Sequence, residues 1–372
     1  MRERFARRAA CACVAALALG ACGSGGHRAA AKSAAGAPLQ DVWRSDVAPP
    51  AYAGMPAADP QGVAFTSALS RLILLDPNGH TKWVAESPQL RDVAPRLTAD
   101  LVVAATESGL KAFNRATGAP AWTADIGERA NTPVSGAGVL VASTWDGSIF
   151  AVEGSTGRFR WRSPLPGPAL GPAATDGASA VTTWVADDHL SAGAVAVDAT
   201  TGEPRWAVAL PAGGVSAPAI AATTPGSPAV VVAVAGDVAA HGLNITTGAE
   251  RWRTPLEGAG SPEVAPLALP AGDVLVAHRL GGMALLDRRG AVRWQASSDG
   301  AAVRGAPAGP SAFGRFALPL DDGRVLVAGP GAPTVSVDPP GRVSAVAAGP
   351  ANVLLIATRE ASINGVTAST GW

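Results

Sequence analysis

Three adjacent residues, Asp187-Asp188-His189, form the densest cluster of metal-ligand types in the chain. Two hard carboxylates and an imidazole suit a divalent cation, and the same triplet suits the polar tip of a hairpin. Other chemistry-bearing residues are scattered. His80, His241 and His278 share no spacing that would bring them onto one ion. Of the three cysteines, Cys11, Cys13 and Cys22, none follows residue 22, so no disulfide, zinc–cysteine site or thiol nucleophile can form beyond it. No nucleophile elbow, zincin motif, phosphate loop or dinucleotide fingerprint stands in the strand and helix context that would give it meaning. We therefore expect no catalytic, cofactor-binding or metal-binding residues.

The elements that would position such groups must be strands. Among 372 residues there are 44 glycines and 31 prolines, too many turn formers for a helical bundle and well suited to short strands. At 48% hydrophobic and 16% charged, the chain has ample apolar surface to bury and is not a disordered polymer. Lys+Arg and Asp+Glu balance at 29 each, so no global basic field recruits nucleic acid.

Self-similarity gives the architecture. The segment from Val139 to Trp161 contains two alternating apolar runs joined by Asp146-Gly147, a strong hairpin signal, followed by a Ser-Thr-Gly turn and a third run around Trp161. The frame recurs up to Trp122, Trp206 and Trp252, with versions one residue shorter at Trp83 and Trp294; in each, Trp lies four residues after a glycine. The turn glycines at 79, 118, 157, 202, 248 and 290 are spaced by 39, 39, 45, 46 and 42 residues, the period of a four-stranded propeller blade. A seventh, degenerate copy pairs Asp322-Gly323 with the Asp146-Gly147 hairpin and places Pro333 and Val337 at the turn-glycine and Trp positions. An eighth copy, Val353 to Gly371, matches Val139 to Gly157 without a gap and lacks the last, Trp-bearing strand. Asp41 to Val47 carries an orphan Trp43 and can supply that strand. The spacing predicts an all-β, eight-bladed propeller of four-stranded antiparallel blades, the last closed by an N-terminal strand. Pro95, Pro133, Pro172, Pro218, Pro266 and Pro307 fall where the innermost strands should run, with a free edge that tolerates a missing N–H.

Upstream, Arg2, Arg4, Arg7 and Arg8 precede an apolar run from Ala9 to Ala21, a signal-peptide pattern too short to span a bilayer. The run ends in Leu19-Gly20-Ala21-Cys22, which resembles the bacterial lipoprotein box. That resemblance implies a leader at 1–21, lipidation of Cys22 and a membrane-anchored protein facing the periplasm or exterior. Residues 22–40 are small and polar and read as a flexible tether, leaving 41–372 as the propeller.

The repeated Thr-Gly turn with Trp four residues on resembles the pyrroloquinoline-quinone-like propeller repeat over about residues 41–372. Leader, tether and eight blades together resemble the propeller lipoproteins of outer-membrane β-barrel assembly, a non-catalytic family that scaffolds protein contacts. Quinone dehydrogenases of the same superfamily use an adjacent cysteine pair around the cofactor, which this chain lacks beyond residue 22. Within the blade frame, Arg91, Arg129 and Arg304 precede Pro95, Pro133 and Pro307, in loops leading to innermost strands on one face. Arginine is favoured at binding hot spots and forks onto carboxylates. The sequence thus points to an anchored, non-enzymatic scaffold for protein partners in the cell envelope. The alternative is a propeller enzyme or small-ligand sensor using the channel mouth.

Overall fold

The computed structural model describes residues 34–35, 40–46, 54–67, 70–221, 229–256, 264–280, 282–298, 300–339, 341–359, 362–367 and 372. The leader, Cys22 and most of the 22–40 stretch lie outside these. Residues 31–372 form one compact unit, built from eight four-stranded sheets. The first six blades run in chain order: Ala57 to Glu86, Arg96 to Asp125, Val134 to Pro164, Ala174 to Leu210, Ala219 to Pro255 and Leu267 to Ser297. A separate apolar cluster fills each gap between successive blades. One of them, with Val63, Phe65 and Leu75 facing Leu355, Ala357 and Ile363, joins the first blade to the eighth and closes the ring.

The repeat is built around a dock between a tryptophan and the turn of the next blade. Trp43, Trp83, Trp122, Trp161, Trp206 and Trp252 lie against Gly79, Gly118, Gly157, Gly202, Gly248 and Gly290, respectively. Each glycine has φ between +71° and +84°, which a side chain disfavours. A Cβ on Gly157 would also stand 2.4 Å from the Trp122 ring. The indole N–H completes several docks: Trp83 donates to the Arg115 carbonyl at 2.9 Å, and Trp206 to that of Ile245 at 2.7 Å.

Closure follows the sequence expectation, with Trp43 in the closing strand. The strand Gln40–Asp46 pairs antiparallel with Ser362–Thr367, and Trp43 faces Gly365. In the third blade Trp161 faces Ala151, which is the residue matching Gly365 when Val139 is aligned with Val353. Trp43 therefore takes the register of the strand that the eighth copy lacks.

Blade seven departs from expectation in three ways. The sequence alignment puts the turn glycine and Trp positions at Pro333 and Val337; the observed pairing Val327↔Val335 puts Val335 in the Trp register and Gly331, with φ +74°, at the turn. The offset arises because the hairpin is shortened to Pro330-Gly331, between the paired Gly329 and Ala332. The inner strand is cut to one bridge, Ala308↔Ala317. Finally, Ala34–Ala35 adds in parallel to the outer strand Ala332–Val337, although the sequence showed no strand pattern there. An open sheet edge offers unpaired backbone groups that such a segment can satisfy. The repeat prolines also sit slightly upstream of their expected place: Pro95, Pro133, Pro218 and Pro266 each immediately precede an inner strand. There the absent N–H interrupts no ladder.

The outer turns share a carboxylate or amide cap. Asn114 Oδ1 accepts the backbone N–H groups of Ala116 and Thr117, and Asp198 Oδ1 those of Thr200 and Thr201. The Arg205 guanidinium and these two N–H groups hold the Asp198 carboxyl down to about 2 from 3.8. A carboxyl depressed on folding contributes stability above its unfolded pKa and loses it as pH falls toward the folded value. We expect urea midpoints to decline as pH drops from about 4 toward about 2, with Asp198→Asn making this decline shallower. Stability that rises over that window would contradict the assignment.

Candidate functional site

In an antiparallel blade, the hairpin between second and third strands shares a rim with the loop arriving from the preceding blade. Isolated bridges fasten the two together: Leu90↔Thr106, Ala130↔Thr144 and Val303↔Leu320. All three candidate arginines lie beside these bridges, so the structure places them on one rim. Their registers differ. Arg91 and Arg304 follow the bridging residue, whereas Arg129 precedes it, because the count back from the proline does not fix the register of an irregular loop.

Register alone does not decide their environments, since Arg91 and Arg304 share one and differ in burial. Arg129 is half exposed and forks onto Asp146, with Nη2 at 3.0 Å from Oδ1, while its backbone N–H donates to Oδ2 at 2.7 Å. These bonds raise the Arg129 pKa and lower that of Asp146. Arg91 is turned inward, its side chain 13% exposed, with the guanidinium carbon 5.5 Å from the centre of the Trp145 ring. Its nearest carboxylate oxygen, Glu107 Oε1, stands 3.9 Å from Nε, and Nη1 is buried without a hydrogen-bond acceptor. Burial lowers the Arg91 pKa; Glu107 opposes this, the like charge of Arg129 adds to it, and Asp146 opposes it. A buried N–H left unpaired costs about 1–3 kcal/mol, and stacking on an indole returns about 0.5–2 kcal/mol. Arg91 is thus a stacked cation with unused hydrogen-bonding capacity. Arg304 is exposed and makes no ion pair among the described residues. Blades eight and one separate it from Arg91 around the ring.

Sequence reasoning missed the groups that hold Arg91 and Arg129. Trp145 stands directly before the Asp146-Gly147 tip, is 37% exposed, and donates its indole N–H to Asn131 Oδ1 at 2.7 Å. An aromatic residue beside a hairpin tip was the signal available. Glu128 is buried next to Arg129, accepts from Thr144 Oγ1 at 2.9 Å and from Ser148 Oγ, and pairs with Arg162. Leu170 and Leu190, on the same rim, are 43% and 77% exposed.

Asp187, Asp188 and His189 occupy an exposed hairpin between the second and third strands of blade four, Ser179–Val185 and Ala192–Asp198. Asp188 Oδ1 accepts the Leu190 N–H. No group of three potential ligands converges on an ion position among the described residues. His80 sits in an exposed turn beside Asp76. His241 is buried between two carboxylates, with Nε2 3.0 Å from Asp237 Oδ1 and Nδ1 2.7 Å from Glu250 Oε1. The spacing of Asp237 and Glu250 around His241 shows only once strand pairing is known.

A family model described as outer membrane protein assembly factor BamB matches residues 106–194 and 171–371. The crystal structure of BamB from Moraxella catarrhalis has a TM-score of 0.67 at 17% identity, covering 88% of this chain and 99% of that one. A europium-containing methanol dehydrogenase gives 0.67 at 14% identity, covering 86% and 84%. The C-terminal WD40 domain of Sif2 gives 0.69 at 12% identity, covering 89% and 98%. These structural likenesses are of the fold. No curated protein matches the sequence.

Proposed function

The chain belongs to the family of the outer membrane protein assembly factor BamB, and from that premise we propose that it is a lipid-anchored, non-catalytic scaffold that docks protein partners in the cell envelope. Cys22 is the anchor point, the stretch 22–40 gives lateral reach, and the rim bearing Arg91, Arg129 and Arg304 is the docking face. The observation that carries this reading is the rim itself. It combines an arginine with unused donors, an exposed tryptophan and two exposed leucines, the residue types on which binding energy concentrates or that surround it. The likeness to a methanol dehydrogenase is one of fold and lends this chain no catalytic residue.

Two measurements test the proposal. In detergent phase partitioning, the wild-type protein enters the detergent phase and Cys22→Ala stays aqueous; an identical distribution of the two refutes the anchor. The triple variant Arg91→Ala, Arg129→Ala, Arg304→Ala keeps the anchor and retains at least about tenfold less of any specifically co-isolated envelope protein, as expected for loss of hot-spot contacts. Full retention of every partner refutes the docking face.

A further inference from the structure

We propose that Arg91 and Trp145 form a reader for an acidic side chain, so that the partner of the docking rim presents an aspartate or glutamate to this point. The inference rests on the scaffold reading and names the chemistry of its anchor contact. Three observations carry it.

First, Arg91 is under-satisfied where it lies. Its Nη1 is buried without an acceptor, and Glu107 Oε1 is 3.9 Å from Nε, beyond hydrogen-bond range. By contrast, Arg115, another largely buried arginine, is engaged by both oxygens of Asp59 and by the Thr98 carbonyl. Second, the nearby carboxylates are committed elsewhere or held off. Asp146 is taken by the side chain and backbone of Arg129. Burial disfavours the Arg91 cation, Glu107 opposes this and the like charge of Arg129 adds to it, and an incoming carboxylate works against the burial cost. Third, the stacking surface that stores Arg91 is itself partly exposed, and Leu170 and Leu190 are exposed on the same rim. A free small carboxylate has no use for these apolar side chains, whereas a peptide segment covers them while its acidic side chain forks onto the guanidinium.

The test uses the full-length protein in detergent micelles and two peptides, acetyl-Leu-Gly-Glu-Gly-Leu-amide and its Gln counterpart, followed by the NMR signals of Arg91 Nε–H and Trp145 Nε1–H. The Glu peptide is expected to move both signals saturably, the Gln peptide at least about tenfold more weakly, as expected for a charge-assisted pair. Arg91→Gln abolishes the Trp145 response, Arg91→Lys weakens it, and Arg158→Gln, in an exposed turn on the opposite rim, leaves it intact. Arg91→Lys, which keeps the charge, guards against a folding defect being mistaken for lost recognition. Equal responses to the two peptides, or a Glu response that survives Arg91→Gln, overturn the inference. Its failure is separable from failure of the scaffold reading. Partners that still depend on the triple arginine set without carboxylate selectivity sink only the reader; selective peptide binding with no partner in cells leaves the reader and sinks the scaffold.

Discussion

Replacing Trp43 with alanine is expected to destabilise the folded protein by about 3 kcal/mol, the scale for truncating a large, mostly packed aromatic. Trp43 covers Gly79 of blade one and Gly365 of blade eight and packs on the cluster that joins those two blades. Its loss opens a gap at the one point where the ring is closed by a strand far away in sequence. Removing Asp41 to Asp46 altogether should cost more, since the edge of Ser362–Thr367 then loses its ladder as well. The check is urea unfolding followed by far-ultraviolet circular dichroism. Unchanged midpoints for both variants would mean that the strand is not part of the cooperative unit.

Trp372→Ala is expected to cost a similar amount, about 3–5 kcal/mol. In blade seven the repeat Trp register is held by Val335, too small to fill the wedge toward blade eight. Trp372 is 1% exposed and lies in that wedge with Val327, Val335, Ile356 and Val366. A tryptophan from another part of the chain thus supplies the aromatic volume that the seventh copy lacks. Trp372→Phe should recover much of the loss, because volume rather than the indole N–H is what the site uses; that N–H has no acceptor. If Trp372→Ala melts like the wild type, the wedge is filled by something else.

The fold was readable wherever a physical requirement repeated. Glycine at positive φ and tryptophan four residues later recur because each blade must dock on the next, and that recurrence located six blades and the orphan strand around Trp43. Where the requirement lapsed, the sequence became silent. Blade seven has a hairpin two residues shorter, which moved its register from Pro333 and Val337 to Gly331 and Val335. Trp372 belongs to no copy's Trp position, so its packing role showed only in the folded ring. The rim was partly readable. The arginines could be assigned to one face from their place before the inner strands, but the direction each turns is set by contacts made in the folded ring, the Trp145 ring for Arg91 and Asp146 for Arg129, which the proline count does not encode. Trp145 and Glu107 come from hairpins distant in sequence from Arg91, and only the folded ring brings them to it.

The most direct test of the account is photocrosslinking in intact cells from both rims of the propeller. Crosslinkers at Gln89 and Leu190 sit on the arginine-bearing rim, and crosslinkers at Thr117 and Thr156 sit in exposed turns on the opposite one. The account predicts that Gln89 and Leu190 capture the same discrete envelope protein, that Thr117 and Thr156 do not, and that Arg91→Gln diminishes the capture. Capture of one common background set from both rims would contradict it.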